Sequence, residues 1–446
     1  MPAVAADPEA ARDFALTVVS RLREAGHEAF WAGGCVRDEL LGRTPADYDV
    51  ATSARPEVVR ELFGRRRTLA VGAAFGVMTI VGPRGAGHVE VTTFRTDAAY
   101  TDGRHPAGVT FSTPEEDAQR RDFTINGLFF DPLIGKVHDY VGGRADLEQG
   151  VVRAIGVASQ RFAEDHLRML RAVRFTAGFG FVLESQTRAA IERMAPRVTS
   201  VSPERIAAEL RLMVARHGRE AALDLLLDTG LAAEVLPEVA LPGGSPLPRE
   251  TWQQASRVIG ALDEPALPLA LAMLVDVSVP EQAENTVMPP AVRRPHSQLV
   301  HTIGTRLRLS NDETNATDWL LAAVRSLHRL QTENGLATAS WSSLQPWLAD
   351  PRRAQLADLL RARADTGMGS PEAASWITAQ LERPADELDP PPLLTGHDLM
   401  AAGIAKGREI GQWLGEVRRR QLDAELTSKD EALAWLTRQS SPDASP

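Results

Sequence analysis

Two aspartates one residue apart, in Asp47-Tyr48-Asp49-Val50, are the side chains of this sequence best suited to hold a cation. Alternate residues of a strand share a face, so a strand here sets the two carboxylates side by side. Like charges so placed repel, and a divalent ion bridging them removes the penalty. Mg2+ prefers carboxylate oxygens together with substrate phosphates. Upstream stands Ala32-Gly33-Gly34-Cys35-Val36-Arg37-Asp38-Glu39-Leu40-Leu41-Gly42. Gly33 and Gly34 permit a tight turn after an apolar run, and Val36–Leu41 resumes as a helix. Backbone N–H groups at such a turn approach phosphate oxygens, and the helix N-terminus favours their charge. Arg37 lies one turn into that helix, placed to reach a triphosphate. Glu90, in the β-rich run His88-Val89-Glu90-Val91-Thr92-Thr93-Phe94-Arg95, is the candidate third carboxylate for a two-metal site. Each feature has an ordinary alternative: a structural turn, a surface Asp-x-Asp loop, an exposed strand residue.

A second set falls in a stretch with helical period. Asp165, Arg168, Arg171 and Arg174 step by three and form one slowly spiralling polar stripe. Leu167, Leu170 and Val173 take the opposite side, facing a core. Asp165 can accept, and Arg168 can donate, hydrogen bonds in the plane of a base, imitating a Watson–Crick partner. Arg171 and Arg174 then reach phosphates or RNA. An intrahelical Asp–Arg pair on a solvated face is the ordinary alternative.

The elements that must carry these residues change character along the chain. In the first 150 residues, β-rich runs at His27–Trp31, Asp49–Ala51, Phe75–Val81, Val89–Phe94, Val109–Phe111 and Gly135–Tyr140 alternate with helices at Asp7–Ala25 and Arg55–Leu62. This predicts an α/β or α+β domain on a mostly antiparallel or mixed sheet. After Gly150 the strand signal stops. Phe162–Phe175, Ser185–Met194, Pro203–Ala215, Arg219–Thr229, Glu250–Ala261 and Asn315–Leu330 show helical spacing, with Ser202 an expected N-cap. Pro237–Pro248, Val279–Pro295 and Arg383–Pro392 read as linkers, Thr395–Leu436 as a small helical module, and the residues after Gln439 as a polar tail.

A chain of 446 residues is too long for one core. Its net charge of −10 argues at first against a nucleic-acid partner, but clustering matters more than the sum. Arg161 to Glu220 holds eleven arginines against seven acids, and Arg418-Arg419-Arg420 forms another basic knot. Either cluster fits RNA contact or a solvated face. Cys35 is the only cysteine, which excludes an internal disulfide and a cysteine-ligated zinc site and fits a reducing cytoplasm. No run of eighteen apolar residues occurs, so no membrane span is predicted. The acidic start of Met1–Asp13 does not read as a secretory leader.

These motifs resemble, in order and spacing, those of the class II tRNA nucleotidyltransferases (CCA-adding enzymes) and bacterial poly(A) polymerases. The Gly-Gly turn and the Asp-x-Asp ten residues after Arg37 look like that family's first motif. Arg120-Arg121-Asp122-Phe123-Thr124-Ile125-Asn126-Gly127 is similar to its second, with Gly127 in a place usually held by Ala. Glu164-Asp165-His166-Leu167-Arg168 resembles its nucleotide-selecting motif, Ser202-Pro203-Glu204-Arg205-Ile206 the next, and Gly396–Leu436 its C-terminal signature. The resemblance implies an α+β fold: a nucleotidyltransferase head with mixed sheet and helices over 1–150, then all-α neck (151–236), RNA-binding body (237–390) and tail (391–446). It implies nucleotide contacts from Gly33, Gly34, Arg37, Arg121, Asp165, Arg168, Arg171 and Arg174, with Asp122 and Asn126 orienting neighbouring groups. Catalysis would rest on Asp47, Asp49 and Glu90, with one Mg2+ held by Asp47 and Asp49 and a second holding the triphosphate. The expected reaction is attack of a tRNA 3′-hydroxyl on the α-phosphate of CTP or ATP, in the cytoplasm, with no membrane and no required protein partner evident.

Rivals are a poly(A) polymerase, a CC-only or A-only enzyme, and a non-catalytic RNA-binding protein. The acidic Phe111–Asp117 segment is similar to CCA-adding enzymes and favours tRNA, and an intact Arg95–Pro106 loop favours complete CCA addition. The His138-Asp139 and His397-Asp398 pairs lack the partners that an added phosphohydrolase site needs.

Overall fold

The computed structural model describes residues 7–70, 72–97, 108–241, 243–279, 295–333, 335–404 and 407–440, in two compact units, Met1–Pro237 and Glu238–Pro446. Most of the Arg95–Pro106 loop and of the Val279–Pro295 linker, and the end of the polar tail, lie outside the described residues.

The first unit is built on a mixed seven-stranded sheet. Its strands are β1 (Ala29–Ala32), β2 (Asp49–Thr52), β3 (Thr68–Leu69), β4 (Val77–Val81), β5 (His88–Thr93), β8 (Leu128–Asp131) and β9 (Lys136–Asp139), in the order β3-β4-β5-β2-β1-β8-β9. Short β6 (Arg95–Asp97) and β7 (Val109–Phe111) pair separately. Only β2 and β5 run parallel within the large sheet; its other neighbours are antiparallel. β1 sits between β2 and β8 with all four residues buried, which is why Ala-Phe-Trp-Ala reads as an apolar run rather than an alternating strand. Helix α1 (Pro8–Glu24) starts on Asp7, whose side chain accepts the N–H groups of Glu9 and Ala10, and buries Ala15, Val18, Val19 and Leu22. It packs on β1, β2 and β5, and α3 (Pro56–Phe63) packs on β4 and β5. Phe30, Ala32, Ala51, Phe94, Ala118 and Phe129 form one buried cluster of this unit.

Helices α2 (Gly34–Leu40) and α4 (Pro114–Gln119) connect strands of the head, and α5 (Gly143–Gln149) follows β9. The rest of the unit is largely helical: α6 (Ala158–Glu164), α7 (Leu167–Phe179), α8 (Ser185–Met194), α9 (Pro203–Val214), α10 (Arg219–Asp228) and α11 (Leu231–Val235). Strand signal does not end at Gly150, since β10 (Val151–Val152) pairs in parallel with β11 (Val182–Leu183). The single helix expected over Phe162–Phe175 is two. The chain leaves α6 at Asp165 in an extended conformation (φ −146°, ψ 105°), because the aspartate carboxylate takes the N–H of Leu167 at 3.0 Å in place of a helical bond. Ser202 stands at the N-cap of α9 but makes no side-chain cap, so Pro203 alone defines that start. Gly127 is packed by Val141 and Ile155; a Cβ there would lie 2.7 Å from Val141 Cγ2, so these neighbours occupy the room an alanine methyl needs.

Apart from one β-bridge (Ala240 to Pro246), the described residues of the second unit form helices and connecting turns. Leu267–Ser278, almost wholly buried, is its central helix and packs against Arg249–Gly260, Pro295–Arg306 and Asn311–Glu333. Leu394, Leu399, Val417, Ala432 and Leu436 share a further buried cluster with Trp435.

Candidate active site

Gly33, between β1 and α2, adopts φ 76°, ψ −126°, a conformation that suits glycine, and its N–H donates to the Leu128 carbonyl at 3.1 Å. A Cβ at Gly33 would stand 2.9 Å from Nη1 of Arg121, so the missing side chain is also what lets that guanidinium lie against the turn. Gly34 opens α2, which buries Arg37. Arg37 donates through Nη1 to Asn126 Oδ1 (2.6 Å) and through Nε to Asp38 Oδ1 (2.8 Å). Asn126 donates in turn to Asp122 Oδ1 (3.1 Å), and Asp122 Oδ2 accepts from Arg171 Nε at 2.8 Å. Four residues from three separate motifs thus form one continuous chain of hydrogen bonds. Burial works against an Asp122 anion, but Arg171, the Asn126 bond and Arg168 together hold its carboxyl at about 2, so it stays charged near neutrality.

The two aspartates are arranged slightly differently from the strand pair expected. β2 begins at Asp49, and Asp47 is exposed in the bend before it. Tyr48 between them is buried against Trp31 (centroids 4.8 Å apart), so both carboxylates still take the other side and border the same cleft. Glu90 is the register partner of Asp49 across the parallel β2–β5 pair. Burial, followed by the charges of Asp47 and Glu90, pushes the Asp49 carboxyl up to about 7, with Arg121 opposing them. This is a site where an anion is destabilised and a cation would be favoured. No three His, Cys, Asp or Glu side chains form a ready-made cage among the described residues. An ion at Asp47 and Asp49 would therefore complete its shell with substrate and water oxygens, as Mg2+ commonly does.

Asp117, fully buried, anchors the next group. It accepts from Arg120 Nε (2.9 Å) and from Arg121 Nε and Nη2 (3.2 and 3.1 Å). Arg121 also donates to the Asn126 carbonyl at 3.3 Å and lies over Phe129. In the sequence Asp117 stands out only as the end of the acidic Phe111–Asp117 segment. Its spacing of three and four from the two arginines is the signal that marks it as their support.

Across the cleft, Asp165 lies off the helix that carries Arg168, Arg171 and Arg174, so the predicted stripe of four becomes three plus one. Arg205 grips Asp165 with both terminal nitrogens, at 3.2 and 2.7 Å. Arg168 donates to Glu164, to the Arg161 carbonyl (2.9 Å) and to the Arg120 carbonyl (3.2 Å). Arg174, expected to reach phosphates or RNA, is buried and paired through Nε with Glu209 at 2.6 Å. In the sequence Arg205 is visible only within a helix-start motif and Glu209 not at all, apart from their i,i+4 spacing on α9. Every predicted site residue nevertheless borders one cleft of about 640 Å³. Neither His-Asp pair borders this cleft. His138 packs on Phe30, Asp139 caps the turn into α5, and Asp398 caps the helix Gly396–Ala401 while pairing with Lys429.

A mixed-sheet head whose carboxylates face an arginine-rich helical wall is the arrangement to set beside known proteins. Residues 29–153 match the family described as the Poly A polymerase head domain, and residues 180–241 match a probable RNA and SrmB binding site of polymerase A. Over these residues the chain is similar to polymerase A proteins and to CCA-adding enzymes. It is 44% identical over 227 residues to the CCA-adding enzyme of Geobacillus kaustophilus, an alignment covering 51% of this chain and 55% of the relative. The match to the CCA-adding enzyme of Lactiplantibacillus plantarum is 41% over 262 residues, covering 56% and 63%. The chain thus spans little more than half the length of the curated relatives it matches. Among solved structures, that of the Bacillus stearothermophilus CCA-adding enzyme in complex with CTP superposes with a TM-score of 0.71 at 29% identity, covering 96% of this chain and 97% of that one. The Thermotoga maritima CCA-adding enzyme complexed with tRNA shares the fold at 19% identity (TM-score 0.62), covering 98% and 97%.

Proposed function

We propose that this chain adds CCA to the 3′ end of tRNA from CTP and ATP. The observation that carries the reading is a single cleft holding Asp47, Asp49 and Glu90 on one wall and Asp165, Arg168 and Arg205 on the other. The Gly33–Gly34 turn with Arg37 and Arg121 receives the triphosphate. Cytosine and adenine both present an amino donor beside a ring-nitrogen acceptor, whereas uracil and guanine present a carbonyl beside an N–H. An Asp165 acceptor beside an arginine donor selects the first pattern and rejects the second. The two bonds from Arg205 orient the Asp165 carboxylate and leave lone pairs for a base. Mg2+ ions at Asp47, Asp49 and the triphosphate would supply Lewis acidity at the α-phosphate and lower the pKa of the attacking RNA hydroxyl. Glu90 keeps the local potential negative for them. On this reading residues 1–150 act as catalytic head, 151–236 as neck, and 237–390 and 391–446 as RNA-binding body and tail. The work is done in the cytoplasm, which the lone buried thiol of Cys35 fits.

The test is to incubate the protein with Mg2+, CTP and ATP, singly and together, on tRNA ending at the discriminator base, and to sequence the 3′ ends. Ends that stop at CCA are expected, and Asp47→Ala and Asp49→Ala each lower incorporation by about a thousandfold or more. CC only, A only, or a long A tail would assign the chain to another branch of the family. Near-normal turnover in both variants would refute the carboxylate assignment.

A further inference from the structure

The ring of Phe175, on α7 and 5% exposed, is covered by three guanidiniums: Arg174 at 4.2 Å, Arg37 at 5.2 Å and Arg171 at 5.2 Å from its centroid. Phe179 stacks beside it at 6.0 Å and Phe123 meets it edge-on at 5.8 Å, so the ring cannot turn away. Two of those arginines are also the ends of the hydrogen-bond chain Arg37–Asn126–Asp122–Arg171. Phe175 therefore closes a ring of five side chains, and it is the one member without a polar atom.

We infer that Phe175 is a positioning residue that holds Arg37, at the phosphate turn, and Arg171, on the base-selecting helix, at one fixed spacing. The inference rests on the nucleotide-transfer reading of this cleft. Its physical basis is the difference between a ring face and a carboxylate as support for a cation. Arg37 already gives in-plane donors to Asp38 and Asn126, and Arg171 to Asp122, so a further acid here would take more of them. A ring attracts the cation through its face and consumes no N–H donor. Loss of the ring should loosen the grip on triphosphate and base together.

Phe175→Leu keeps apolar bulk and removes the ring faces; Phe175→Tyr retains them. Phe162→Leu, on α6 and away from the cleft, is the control for simple loss of packing. We expect F175L to weaken equilibrium binding of both CTP and ATP in Mg2+ by about tenfold, as loss of desolvated cation–π contacts implies. UTP misincorporation relative to CTP should rise in the same variant, and F175Y should restore both measures toward wild type. F162L should lower the melting temperature yet leave affinity and selection in place. Wild-type affinity and selection in folded F175L overturn the inference; if F175L does not fold, Phe175→Met is read by the same two outcomes. Wild-type protein that binds neither nucleotide overturns this inference and the proposed function together, whereas nucleotide-binding wild type with an unaffected F175L overturns this one alone.

Discussion

At the residue scale, Asp49 carries an unfavourable charge that burial and its neighbours Asp47 and Glu90 impose, with its carboxyl raised to about 7. A carboxyl whose folded pKa exceeds its unfolded value favours the fold while protonated. That contribution is complete below about pH 4 and is lost as pH rises through 7. Asp49→Asn removes the ionisation, so its stability advantage over wild type should grow from pH 4 to 8. In chelator at pH 8 the gain should be on the order of 2 kcal/mol, read from denaturant or thermal unfolding. The same variant should lose the stabilisation that Mg2+ and CTP give wild type. A difference independent of pH would deny that Asp49 is a strained anion.

At the scale of elements, the β1–α2 turn must bring backbone and the Arg121 guanidinium into near contact, and only a residue without Cβ allows it. Gly33→Ala places a methyl 2.9 Å from Arg121 Nη1 on a backbone of φ 76°. We expect a loss of about 1–3 kcal/mol in stability and a larger proportional loss in CTP affinity than in RNA affinity. Equal losses in the two affinities would mean that the turn serves folding alone. The α6–α7 break is the second element-scale device. Helical periodicity runs through it without interruption, because Leu167, Leu170 and Val173 keep their apolar face whether or not Asp165 is helical. What breaks the helix is a carboxylate held by Arg205, forty residues on.

For the whole molecule, net charge and clusters of like residues are poor guides to where RNA binds. The Arg418–Arg420 knot is neutralised in place: Arg418 pairs with Asp389, Arg419 with Glu416, Asp423 and Glu425, and Arg420 with Glu416 and Glu425. Arg216, exposed on the border of the cleft, has no ion pair among the described residues. RNA affinity should fall with rising salt, and Arg216→Ala should reduce the slope of log affinity against log salt by about one. Arg419→Gln should leave that slope unchanged. The reverse pattern would place the RNA contacts on the Arg418–Arg420 knot and not at the cleft border.

What the sequence by itself determined is what short-range geometry controls. The Gly33–Gly34 turn and helices such as Ser185–Met194 follow from residue type and a period of 3.6, whereas Asp47 joins Asp49 at the cleft from the bend before β2, outside the strand alternation expected. The head's strands were legible where flanking Gly, Pro and Asp mark their ends; four-residue β8, directly after a site motif, and two-residue β3 carry too little pattern of their own. Only the tertiary structure decided which charges are spent on each other. Glu90 flanks Asp49 because β2 and β5 pair in parallel, and Asp117 supports Arg121 because α4 buries it. Arg174 turns to Glu209 because α7 packs on α9. A side chain's charge is written in its residue type, but its partner depends on elements far apart in the chain. In a cleft crowded with arginines and acids, burial decides which charges pair and which remain for a substrate.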